Sequence, residues 1–560
     1  MKIGKTTKRH LIILSVIVLA TFLGSLFLYT KTNLYISPDE TANAFFAQHF
    51  AETNILSVFE PLNIPFEDII HPRSISSIKG RLVPGSFIGL PVLYGLVISL
   101  TGIWTLTILT PFIAALAVFA WYGICRKLFH EHVAFLSAVL FAIHPGWWYY
   151  SARGLMHNVL FLSLLIFAAY VLILRPGYTT LKKSNRFLWL HDIDFLLSGI
   201  LIGLALFVRS SEAVWIALIG AIGFIWFRKH VSWKQFVILI GAIVIALSPL
   251  LFLNRVTYGS SISSGYTIVE QSEVVSFDTN PLDQAELGRS PLKRGTILKT
   301  ISQTIFPFGI DIKATARHVG YYGFGIFWWM SLLALIGVPL LWPDRSVRKK
   351  YKKPRKVFWI ISASLSAWLA IMYGSWTFFD NPDPSQITIA NSYVRYWLPI
   401  YLVMTPFAAT TIYWLSNRAF TKYAQSATIM ILILVSFGLS LRVVFFHPQD
   451  GLVAEKHVLQ ESSLIKDRVL SLTDEDAVII VDRADKIFFP YRAVVYPLRD
   501  EKTYKLMPSL ERRVPLYYYG ITFPPEDMEY LNTRKLKELG LVIELIETFS
   551  QESLYRIYSP

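Results

Sequence analysis

The chain has 560 residues, of which 54% are hydrophobic and 15% aromatic, and its mean hydropathy is +0.46. Soluble globular proteins run about 45 to 50% apolar with glycine counted, so this composition excludes an ordinary soluble protein and describes a polytopic membrane protein. The formal charge of +15 lies in short basic runs between apolar spans with no nucleic-acid-binding signature, which excludes a nucleic-acid partner and makes the charge a report of topology.

Residues 11 to 29 form an uncharged run behind Lys2, Lys5, Lys8 and Arg9. The run is too long for a signal-peptide core and lacks a small-x-small cleavage pattern, so it predicts an uncleaved anchor with a cytoplasmic N-terminus. Ser37, Pro38 and Glu40 then spell a capping box that opens an amphipathic helix along the membrane interface, with apolar positions at 42, 45, 46, 49 and 50. Glu40 is occupied by the cap. Asp39 has no capping duty, and the helix N-terminus favours its ionised form, as a general base requires. The plainer alternative is that both acids are simply favoured in a first turn.

A polar stretch runs to about Arg81, followed by an apolar run at 82 to 101 and further runs at about 103 to 124, 133 to 147, 155 to 174, 193 to 209, 213 to 227, 235 to 254, 321 to 342, 357 to 378, 394 to 415 and 427 to 446. If 82 to 101 does not cross, the loops carrying Arg126 and Lys127, Arg175 to Arg186, Arg228 and Lys229, and the eight Lys or Arg residues of 345 to 356 all fall on the cytoplasmic side. The expected fold class is therefore an α-helical polytopic membrane protein with about 11 transmembrane helices. Residues 82 to 101 form a re-entrant or interfacial helix within the first external loop. The transmembrane domain spans 1–446, with external loops 30–102, 145–158, 255–320 and 379–395. Residues 447–560, where charged helical patterns alternate with short strands at 477 to 482, 493 to 498, 540 to 547 and 553 to 558, predict a small soluble external α/β domain.

No phosphate-cradling glycine loop, metal-spaced histidine pair or serine nucleophile elbow is present. The lone Cys125 excludes a disulfide and a thiolate metal site. What remains is an acid facing external cations: Lys79, Arg81, Arg153, Arg209 and Arg395 are candidates to hold a lipid-linked phosphate at head-group depth. Each has a plainer alternative. Arg81 and Arg395 read equally as snorkelling anchors, Arg209 as the partner of Glu212, and His157 beside Asn158 as a helix-start polar group. Trp147, Trp148, Tyr149 and Tyr150 read as an interfacial aromatic cluster before a sugar platform.

Asp39-Glu40 after the anchor, Arg81 to Pro84, Arg126-Lys127, His144-Pro145 through Arg153, and Arg395-Tyr396 through Pro399 together resemble membrane glycosyltransferases of the GT-C class. The likeness is to relatives of protein O-mannosyltransferases and of the aminoarabinose transferases acting on lipid A. The resemblance covers roughly 1 to 210 and 390 to 400. It implies transfer of a sugar, with inversion, from a polyprenyl-phosphate donor to an external acceptor hydroxyl on protein, lipid or glycan, with Asp39 as base. Glu40, Arg81, Arg153, His157, Arg209, Arg395 and Tyr396 are the substrate-binding candidates. This chain departs from the family at His157-Asn158, where relatives often carry an acid, so the sequence names no cofactor and lends a divalent metal no support. The rival class is a transporter or lipid flippase using the loop acids as a proton relay. Its usual trace, ionisable residues within spans and paired broken halves, is missing from the sequence.

Overall fold

The computed structural model describes residues 5–28, 34–173, 188–228, 231–268, 306, 309–342, 349–378, 380, 386–498 and 500–560. In chain order the helices are α1 (Lys5–Ser25), α2 (Pro38–Thr53), α3 (Gly89–Thr101), α4 (Leu106–Leu128), α5 (Glu131–Ala142), α6 (Pro145–Ala152), α7 (His157–Ile173), α8 (Leu188–Val208), α9 (Ala213–Phe227), α10 (Trp233–Tyr258), α11 (Ile312–His318), α12 (Trp328–Leu340), α13 (Lys349–Gly374), α14 (Ser392–Tyr396), α15 (Leu398–Ser416), α16 (Lys422–Phe446), α17 (Leu452–Leu472), α18 (Asp485–Phe488), α19 (Glu501–Glu511) and α20 (Pro525–Tyr530). The strands are β1 (Val58–Phe59), β2 (Ile75–Ile78), β3 (Arg81–Pro84), β4 (Val478–Val481), β5 (Ala493–Val495), β6 (Leu516–Ile521), β7 (Val542–Phe549) and β8 (Glu552–Tyr558).

The chain divides into two compact units. The first comprises Met1–Leu28, Thr107–Pro249 and Phe277–Ala454, the second Tyr29–Leu106, Leu250–Ser276 and Glu455–Pro560. The first unit is helical. In it α15 is buried along much of its length and packs on α5, α12, α13 and α16. Gly337 of α12 lies so close to the Phe407 carbonyl that a Cβ would have no room, which lets the two backbones meet. Among the described residues, six helices are long and apolar enough to cross a membrane, or up to nine if each of three sharply bent pairs is one span. This is the make-up of a multi-pass membrane protein. The expectation of eleven counted 133 to 147, 155 to 174, 193 to 209, 213 to 227 and 321 to 342 as separate crossings. In the structure these runs become the 12-residue α5 and three pairs bent by 116°, 118° and 101°.

The second unit holds a three-stranded antiparallel sheet in the order β1-β3-β2 and a five-stranded sheet in the order β5-β4-β6-β8-β7. β4, β5 and β6 run parallel, and β8 and β7 continue antiparallel. β4 reads Val-Ile-Ile-Val and is buried at every position, as a central parallel strand covered on both faces must be. Phe66 and Ile70 of the first loop share the core of this sheet with Val478, Ile480, Leu516 and Tyr555, and Ile70 bridges to Val495. The expected α/β tail thus forms one unit with the first loop.

Three local expectations change. Residues 81 to 84 are strand, and the helix that follows has 13 residues, so Pro84 ends β3 instead of opening a helix. α2 is not a one-sided interfacial helix. It buries Glu40, Thr41, Ala42, Asn43, Ala44, Phe46, Ala47 and Phe50, with Gly95 of α3 allowing a close approach to the Ala47 carbonyl. Trp147, Trp148, Tyr149 and Tyr150 are packed inside the helical unit at 0 to 3% exposure, not arrayed as a belt. The basic loop of 174–187, residues 343–348 and most of 255–320 lie outside the described residues.

Candidate functional site

In the second unit, Ser37 caps α2 as the sequence predicts. Its hydroxyl accepts from Glu40 N at 3.3 Å, while Ser37 N and Oγ donate to Glu40 Oε2 at 3.1 and 3.0 Å. Glu40 is thereby engaged and buried. Asp39, one residue before it in the first turn, is partly exposed and accepts a hydrogen bond from Ser74 Oγ at 2.7 Å. Burial first, and then the Glu40 carboxylate, raise the Tyr35 hydroxyl above its ordinary pKa, so Tyr35 stays protonated beside the cap. Burial likewise lowers His71, against the opposing pull of Asp68 and Asp485. Arg81 opens β3 opposite Phe59 and Ile78 and is exposed.

In the helical unit, the bends bring candidates together. Arg153 stands at the break between α6 and α7, and Arg209 at the break between α8 and α9, where its backbone leaves the helix at φ −145°. Each is buried where helical hydrogen bonding is interrupted. Arg209 pairs with Glu212 through Nε at 3.1 Å and Nη2 at 2.7 Å, and Tyr373 and Trp215 donate to the same carboxylate, each at 2.5 Å. The plainer reading of Arg209 therefore describes its geometry. Tyr396 lies between two cations, with Arg209 4.9 Å and Arg395 5.1 Å from its ring centre, and it stacks on Tyr373 at 4.4 Å. Arg395 donates through Nη2 to Ser392 Oγ at 2.9 Å and contacts Met156 Sδ at 3.0 Å, and its carbonyl accepts from Asn158 Nδ2 at 3.1 Å.

The segment 153 to 158 thus grips both the backbone and the side chain of Arg395. Arg153 lies over Tyr149 at 5.8 Å, and His157 begins α7, buried, as a helix-start group would. The structure brings Arg209, Arg395 and Tyr396 into one cluster, with Met156 and Asn158 beside Arg395. Sequence reasoning missed Ser74, Tyr373, Ser392 and Asp380. Asp380 accepts from Ser392 N at 2.7 Å and Oγ at 3.0 Å, and so holds the hydroxyl that meets Arg395. Among the described residues no group of three or more His, Cys, Asp or Glu side chains is placed to hold a metal ion.

No family model and no curated protein matches the sequence. Solved structures do match it. Over 98% of this chain and 97% of the other, the fold is similar to ArnT from Cupriavidus metallidurans bound to undecaprenyl phosphate, with a TM-score of 0.54 at 10% identity. Over 93% of this chain and 70% of the other, it is similar to the Archaeoglobus fulgidus oligosaccharyltransferase tethered with an acceptor peptide containing the NVT sequon, with a TM-score of 0.51 at 12% identity. The same values hold for that organism's oligosaccharyltransferase AglB in complex with an inhibitory peptide and a dolichol-phosphate. This chain has the GT-C fold. The resemblance read from Asp39-Glu40 and the later motifs is borne out at the level of the GT-C fold.

Proposed function

We propose that this protein is an inverting membrane glycosyltransferase that moves a sugar from a polyprenyl-phosphate donor to an external acceptor hydroxyl. The observation that carries the reading is the end-to-end fold similarity to ArnT bound to undecaprenyl phosphate, in a chain whose first long loop begins with a capped helix presenting Asp39. Asp39 accepts the proton of the acceptor hydroxyl as its oxygen attacks the anomeric carbon from the face opposite the leaving group. The bond from that carbon to the phosphate oxygen breaks, and the polyprenyl phosphate departs as a stable anion, so no general acid is required. Arg395 meets the charge growing on the phosphate. Its planar fork suits two phosphate oxygens, which bind a guanidinium more strongly than the neutral Ser392 Oγ and Met156 Sδ that it touches.

Arg209 contributes differently, because Glu212 already balances its charge. Its role is to hold Tyr373 and Tyr396 against Arg395. Arg153 and His157 shape the bend that grips Arg395, Glu40 closes the cap of the helix that carries Asp39, and Arg81 stands exposed at the start of β3. In this reading the N-terminus and residues 345 to 356 are cytoplasmic and the tail after 447 is external. The testing experiment reconstitutes purified protein in liposomes with polyprenyl-phosphate sugars and candidate acceptors. Appearance of sugar-free polyprenyl phosphate together with glycosylated acceptor is expected; movement of intact sugar-lipid between leaflets without transfer would establish the flippase instead.

A further inference from the structure

Ser74, which donates to Asp39, has a left-handed backbone with φ 62°, a conformation that residues with a Cβ seldom adopt. Its surroundings enforce it. Gly85 N donates to the Ser74 carbonyl at 2.9 Å, and a Cβ on Gly85 would stand 2.8 Å from that oxygen. On the other side, Arg73 is locked to Asp485 of α18 by three donors: its backbone N at 2.8 Å, Nε at 2.9 Å and Nη2 at 2.5 Å. Nη2 also reaches the Arg483 carbonyl at 2.7 Å. Asp485 is fully buried, so its hold on Arg73 is little screened by solvent. The neighbouring Lys486 donates to the Ile36 carbonyl, next to the Ser37 cap of α2. The short helix α18 therefore grips the chain just before α2 and also the loop that supplies a hydroxyl to Asp39.

We propose that α18 in the C-terminal tail positions the catalytic base: Asp485 fixes Arg73, Arg73 sets the left-handed turn at Ser74, and the Ser74 hydroxyl holds the Asp39 carboxylate in one rotational state. This rests on the reading of Asp39 as base. A charge-assisted O–H···O⁻ bond keeps the carboxylate ionised and aimed, and the loss of aim outweighs the small gain in basicity when the bond is removed. The tail thus has a role in the reaction beyond the stability of its own sheet. Ser74 and Asp485 are positioning residues, since they act through Asp39.

The test measures single-turnover rate, donor affinity and melting temperature of the full-length protein in one detergent. Ser74→Ala, Ser74→Gly, Arg73→Lys and Asp485→Asn are each made alone and in an Asp39→Asn background. Ser74→Ala and Ser74→Gly should both slow turnover about 10- to 100-fold, the size of one hydrogen bond to a charged group, with donor affinity unchanged. Glycine relieves any strain at φ 62°, so a role limited to loop conformation predicts recovery in Ser74→Gly but not in Ser74→Ala. Arg73→Lys and Asp485→Asn should slow turnover in the same direction, and none of the four should slow the residual rate of Asp39→Asn further. Near wild-type rates in both Ser74 variants, or losses that persist in full in the Asp39→Asn background, would overturn the proposal even if the Asp485 and Arg73 variants fail to fold. A wild-type rate in Asp39→Asn alone would instead remove the base assignment itself, and the positioning role with it.

Discussion

Replacing Glu212 with alanine removes a carboxylate at which four donors converge: Arg209 Nε and Nη2, the Tyr373 hydroxyl and the Trp215 indole. Arg209 is 6% and Glu212 4% exposed, so bulk water does not replace the lost acceptor. Breaking one side of such a buried pair costs about 3 to 5 kcal/mol, because the remaining charge is left uncompensated. The value should lie toward the upper end here, since Tyr373 and Trp215 lose an acceptor as well. Glu212→Gln keeps one acceptor oxygen but turns an NH₂ toward groups that themselves donate, and should cost about 1.5 to 3 kcal/mol. Removing both charges, as in Arg209→Met with Glu212→Leu, should be less destabilising than Glu212→Ala alone. Denaturant unfolding of the variants in one detergent measures all three. A loss under about 1 kcal/mol in Glu212→Ala, against the cost expected for a broken buried pair, would refute the hub, as would a double variant less stable than the single one.

Glu40→Gln should lower stability by about 1 kcal/mol or less and leave most turnover, because glutamine also closes a capping box; total loss of activity with normal folding would place Glu40 in the chemistry. Arg395→Lys should impair both donor affinity and single-turnover rate. Arg395→Ala should be worse, by about 1.5 to 3 kcal/mol for each charge-assisted hydrogen bond to phosphate, and free exchange with lysine would reduce Arg395 to a membrane anchor. Topology can be read by labelling, because the only native cysteine, Cys125, is buried. A cysteine at Lys353 should react only from the cytoplasmic side and one at Glu501 only from outside, and the reverse pattern would invert the assigned topology.

Features set by residues three or four apart were legible in the sequence. The Ser37–Glu40 box and the Arg209–Glu212 pair both span three positions, so their geometry follows from local chain direction. The bonds that complete each cluster are not local. Ser74 lies 35 residues from Asp39, and Arg73 lies 412 from Asp485, distances at which no periodicity survives. The run Leu-Tyr-Tyr-Tyr-Gly-Ile of β6 was missed as a strand because its tyrosines hide the apolar signal, yet Tyr518 and Tyr519 are fully buried and Tyr518 bonds to Asp482 at 2.9 Å. The bends were hidden for a related reason. Hydropathy sees apolar length, and a run such as 195 to 227, interrupted by the polar Arg209 to Glu212, gives no measure of the 118° turn between α8 and α9.

The central claim turns on Asp39. Asp39→Asn keeps the size of the side chain and an acceptor for the Ser74 hydroxyl but cannot take the proton. Single-turnover transfer from a polyprenyl-phosphate sugar should fall about 10²- to 10⁴-fold while donor affinity stays at the wild-type value. Transfer at the wild-type rate by Asp39→Asn, under conditions where the wild-type enzyme turns over, would contradict the account.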